Sequence, residues 1–161
     1  MSTSDLYILN GKSTTHFAEF RNGHGSAPIC WDFIGTKYID EKPIYSMDHG
    51  YLKKVWALAS TDKLTHPEAT AMLMTFDRAY VPMDCLEEAA DGCIRFGEMC
   101  EDGRRENHWP EIGEKLREAA SMKHNRHARG IALSCTSVSD AWSWPSDEQL
   151  SCAWPTHSNN A

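Results

Sequence analysis

Hydrophobic positions recur along this chain at two periods, and each change of period marks an element. Leu-Tyr-Ile-Leu-Asn at 6–10, closed by Gly11, reads as a short strand ending in a turn. Asn22-Gly-His-Gly-Ser26 is turn chemistry, because glycine enters positive φ at little cost. Ser26 then stands at a helix cap, with Pro28 in the first turn and Cys30, Trp31, Phe33, Ile34 and Tyr38 following. Asp48 caps a second helix whose Leu52, Val55, Trp56 and Ala59 repeat at helical spacing. Thr65-His-Pro-Glu68 is a capping box, opening a helix through Ala69, Met72, Leu73, Phe76 and Tyr80 that stops before Pro82. Asp84-x-x-Glu87 is a second box, and Gly103 is the stop of the helix it opens. Asn107 or His108 precedes Trp109-Pro110 and a helix through Ile112, Leu116 and Ala120. Lys123, His124 and Arg126 suit the negative pole at its end. From 129 to 138 the period falls to two, which predicts a strand.

These elements predict a helix-dominated α+β fold with about five helices. Its small sheet pairs the N-terminal strand (6–10) with the C-terminal one (129–138). One domain over 1–157 with a frayed end at 158–161 is the economical division of 161 residues.

The helix predicted over 84–102 is the most unusual. Asp84, Glu87, Glu88, Asp91, Glu98, Glu101 and Asp102 share an arc of roughly 140° at 100° per residue. The opposite side collects Cys85, Leu86, Ala89, Cys93, Phe96 and Cys100. One face is built for burial and the other is a negative ridge about 27 Å long. Carboxylates one or two turns apart lie roughly 5–10 Å from each other, comparable with phosphates along a nucleic-acid strand. The ridge therefore suits docking on a basic groove. A solvated helix face is the plainer alternative.

Composition narrows the classes. A net charge of −7 disfavours direct binding to nucleic acid and favours solubility or a basic partner. The mildly basic stretch 104–129 interleaves its Arg and Lys with Glu106, Glu111, Glu114 and Glu118, so it reads as mixed solvated surface. No apolar run approaches a membrane span, and Met1-Ser-Thr-Ser-Asp5 lacks the features of a secretory signal; a cytoplasmic location follows as the expectation. Six cysteines at spacings that fit neither a zinc motif nor an evident disulfide framework read as reduced core residues. Six tryptophans are many, and Trp142, Trp144 and Trp154 cluster beyond the last strand, where they are candidate binding anchors.

Catalytic signatures are thin. Cys30 and Cys135 are candidate nucleophiles, with His24 or His49 as bases and Asp48 or Asp32 as orienters, yet no local motif joins them. His16-x-x-Glu19 and His124-x-x-His127 would each place two ligands on one helix turn, and neither has named further partners, so no metal or cofactor is assigned. No glycine loop carries a phosphate-binding fingerprint.

In general character (short, acidic, tryptophan-rich, without catalytic signatures) the chain resembles small accessory proteins of bacteriophages and mobile elements, some of which block host machinery. The likeness covers no motif. It implies a non-enzymatic binding module, an inhibitor whose acidic helix mimics nucleic acid towards a basic, nucleic-acid-handling machine. The alternative is a small cytosolic enzyme with a Cys/His/Ser site between the 22–26 turn and the 134–139 strand. A homodimer through the Cys/Phe stripe stays open.

Overall fold

A computed structural model describes residues 3–11, 13–21, 25–39, 49–76, 79–100, 107–135, 151–152 and 154. Two N-terminal strands, β1 (Thr3–Leu9) and β2 (Thr14–Arg21), form an antiparallel hairpin around Gly11, whose φ of 91° is left-handed backbone that glycine adopts without strain. Helices α1 (Ala27–Tyr38), α2 (His49–Ala57) and α3 (His66–Met74) follow, then β3 (Ala79–Pro82). Helices α4 (Leu86–Met99) and α5 (Trp109–Ser121) precede β4 (Gly130–Cys135) and the two-residue β5 (Ser151–Cys152). The strand order is β2-β1-β4-β3-β5. The first four strands are antiparallel and β5 runs parallel to β3. The fold is α+β, with five α-helices among the described residues.

The two strands read from periodicity are both present and pair with each other, Leu6 opposite Leu133 and Ile8 opposite Ile131. These four side chains face the helices and join one core with Trp31, Leu52, Met72, Phe96, Trp109 and Leu116. On the reverse face Leu9 and Ala132 make a small second cluster with Tyr7 and Tyr80. Trp31 is fully buried, and Trp56 packs against the same core. Both indole N–H groups donate to the Thr75 hydroxyl, at 3.0 and 3.3 Å.

Four local expectations are corrected. Helix α3 ends at Met74, and Tyr80 lies on β3, because the i+4 spacing of Phe76 and Tyr80 imitates a helical stripe across a turn. The acidic helix starts at Leu86 after a 3-10 turn over Met83–Cys85, so Asp84 precedes it rather than capping it. Ser26 is at the α1 cap position, but its hydroxyl lies 3.1 Å from the Ser4 hydroxyl and makes no cap bond. Lys123 and His124 fall in a separate 3-10 turn beyond α5. Asp48, Gly103 and residues 158–161 lie outside the described residues.

Candidate protein-binding surface

Helices α4 and α5 pack as an antiparallel pair, and small residues bring them together. A Cβ on Gly113 would stand 2.7 Å from the Ala90 carbonyl oxygen, and one on Gly97 would stand 2.4 Å from Pro110. Glycine is therefore required at both crossings. Asn107 ties the ends: its side-chain amide donates to the Gly97 carbonyl at 2.8 Å, and its Oδ1 accepts the Trp109 N–H at 3.1 Å. The predicted apolar stripe is spent on this packing. Leu86, Ala89, Cys93 and Phe96 are fully buried in the core of the same chain, and Cys85 and Cys100 are half-buried against it.

Close packing merges the outer sides of the two helices into one surface. Asp84, Glu87, Asp91 and Glu98 are exposed and Glu88 is half-buried, as the arc predicts. Helix α5 adds exposed Glu111, Glu114 and Glu118, which sequence reading had assigned to a mixed surface. Against these eight acids stand Arg95, Lys115 and Arg117. Glu101 and Asp102 lie outside the described residues.

Part of this negative charge is paired within the molecule. Arg117 reaches across from α5 to Asp91 and to Glu87 at 3.5 Å, and pairs along its own helix with Glu114 at 3.3 Å, so one guanidinium serves three carboxylates. His66 Nε2 lies 3.0 Å from Glu88, and Lys115 lies 2.8 Å from Glu118. Exposed pairs of this kind contribute about 0–1 kcal/mol each, because water and salt screen them. An incoming basic group can exchange with Arg117 at little cost, and the local excess of carboxylates stays.

The aromatic anchors fare differently. Trp154 is 5% exposed and belongs to the main core, so its ring holds the fold together. Trp142 and Trp144 lie outside the described residues.

The candidate thiol site is partly assembled, and buried. Cys135 pairs with Ser4 across β4 and β1, and Ser4 contacts Ser26, so the strand end and the turn do meet. All three residues are buried on the helix side of the sheet. Burial pushes the Cys30 thiol well up, and the neighbouring Cys100, Cys93, Glu68 and Asp32 push it the same way. Asp32 therefore opposes the thiolate that a nucleophile needs. Burial also raises Cys93. Cys30, Cys85, Cys93, Cys100 and Cys135 carry thiols. His24, Asp48 and 136–139 lie outside the described residues, as does the side chain of His49.

The two histidine motifs separate. His124 and His127 are exposed around the turn after α5, with His127 accepting from Arg126 at 3.1 Å. His16 and Glu19 lie on strand β2, where the sequence suggested a helix turn, and they converge with Asp5 of β1. Sequence reading missed Asp5, which is distant in the chain and reaches this cluster only through hairpin register.

Comparison of the chain with protein-family models, with curated proteins and with solved structures found no match. No helix among the described residues is long and apolar enough to cross a membrane.

Proposed function

We propose that this chain is a non-enzymatic protein-binding module whose α4–α5 surface docks a basic partner. The reading rests on one observation: packing at Gly97 and Gly113 sets the acids of two helices side by side, where a lone Arg117 is shared among Asp91, Glu87 and Glu114. Helix α4 presents its carboxylates, Glu87 to Glu98, over about 16 Å at 1.5 Å rise per residue, a charge density suited to a groove that binds a nucleic-acid backbone. Such a groove belongs to a nucleic-acid-handling protein, and occupying it inhibits by displacement. Electrostatic docking of this type is fast and weakens steeply with salt.

The test is charge reversal on residues that the core does not use. Immobilised wild type should retain basic nucleic-acid-binding proteins from host lysate at low salt and release them at high salt or with excess duplex DNA. The Glu87→Lys, Asp91→Lys, Glu98→Lys variant should fold and retain none of them. Equal retention by wild type and variant would overturn the proposal. The enzymatic alternative is less favoured, because the described part of its site is buried and its Cys30 thiol is held protonated.

A further inference from the structure

A β-bulge on the hairpin brings three potential metal ligands onto one sheet face. In a regular strand His16 and Glu19, three apart, would point to opposite sides. Here Leu6 pairs with Ala18 and Tyr7 with His16, so Phe17 is an extra residue in β2. Phe17 and Ala18 both pack towards the helical core, and the strand resumes with Glu19 opposite Asp5. His16 and Glu19 thereby share the face of Asp5 and Tyr7, on the reverse of the sheet from the helices.

We propose that Asp5, His16 and Glu19 form a binding site for one divalent first-row transition ion on the outer face of the β1–β2 hairpin. One ligand atom from each residue lies within 4.8 Å of the other two. His16 Nε2 and Asp5 Oδ1 are 2.9 Å apart. Ligands held about 2.1 Å from a cation stand about 3.0–3.4 Å from each other, so this pair is already close to coordinating distance. Glu19 is exposed and has no hydrogen-bond or ion-pair partner among the described residues, which leaves its carboxylate able to swing in.

The first two ligands are also held in place. Asp5 is 5% exposed, and its Oδ2 accepts a hydrogen bond from the Thr3 hydroxyl at 2.7 Å, which aims Oδ1 at the imidazole. The Tyr7 ring meets His16 edge-on at 5.4 Å between centroids. Supporting partners of this kind fix ligand orientation and commonly change metal affinity 10- to 100-fold. Two carboxylates directly opposite on paired strands repel each other, and a divalent cation between them removes that repulsion. One imidazole with two carboxylates suits zinc-like ions better than magnesium or calcium, which favour all-oxygen shells.

Cobalt(II) titration of the intact protein tests the site separately from the α4–α5 surface, since no residue is common to both. Wild type should bind one equivalent, with visible bands of nitrogen and oxygen ligation and no thiolate charge-transfer band. Zinc should displace it and excess magnesium should not. Glu19→Gln, at an exposed position, should keep the wild-type melting temperature, and both Glu19→Gln and His16→Ala should weaken binding by at least 10-fold. Absence of binding, a thiolate band, displacement by magnesium, or unchanged affinity in Glu19→Gln would each overturn the assignment.

Discussion

Glu68 and Asp91 are both helical carboxylates that meet a basic side chain from another helix, yet they stand in opposite surroundings. Glu68 is fully buried at the start of α3. It accepts from the Lys37 ammonium at 2.5 Å, the Tyr38 hydroxyl at 2.5 Å and the Thr65 backbone N–H at 2.9 Å. The bonds from Lys37 and Tyr38 join α1 to α3 and the one from Thr65 caps α3, so both carboxylate oxygens are engaged within the fold. Asp91 is 61% exposed on the side chain and shares Arg117 with two other acids. A buried carboxylate with several donors holds the fold, whereas an exposed one with a shared cation is available for exchange.

The sharpest way to break this contrast is truncation. Glu68→Ala should cost about 3 kcal/mol in urea unfolding, because it removes a buried acceptor of three hydrogen bonds and leaves a cavity. Asp91→Ala should cost under about 0.5 kcal/mol. Equal losses would mean that burial does not separate the two.

Titration sharpens it further. Burial pushes the Glu68 carboxyl up, but the bonds from Lys37, Tyr38 and Thr65 outweigh this and hold it below its ordinary value of 4.5. Its contribution to stability is therefore whole above 4.5 and fades as pH falls through the lower folded value. Lys37 is raised chiefly by its bond to Glu68, and Tyr38 by burial and then by the same carboxylate. Their contributions are whole below 10.5 and 10.0 respectively and fade as pH rises through the higher folded values. The melting temperature should hold between about pH 5 and pH 9 and fall at both ends, because the buried Cys30 and Cys93 thiols, held protonated above their ordinary 9.0, add to the alkaline fall. Glu68→Gln should flatten the acid limb and leave the part of the alkaline limb that comes from the buried thiols. The smallest effect is expected for Arg117→Ala: a change under about 1 kcal/mol in stability, with tighter retention of the basic partner in the salt-dependent capture. Weaker retention would show that Arg117 itself makes contact.

How much of this was legible along the chain varies with how local the signal is. The acidic arc of 84–102 and its apolar stripe could be read because helical spacing needs only neighbours three and four apart, and α4 exposes and buries those positions accordingly. Strand β2 went unread because its bulge breaks the alternation: Phe17 and Ala18 both turn to the core, and the period-two pattern disappears. Tyr80 was misplaced because its spacing from Phe76 fits a helix, while Val81 and Pro82 pair with β4. Of the candidate surface, the α4 half was legible. The α5 half was not, since Glu111, Glu114 and Glu118 join it only after Gly113 meets Ala90.

Residue spacing alone was enough to establish an α+β chain of five helices, two pairing strands and one strongly acidic helix face, because caps, turns and periodicity act within a few residues. Long-range packing was needed to bury Trp154, to share Arg117 among acids of two helices, and to bring Asp5 against His16 and Glu19. Those outcomes depend on register and interhelical approach. Both are set by contacts between residues far apart in the chain, which a local pattern does not encode.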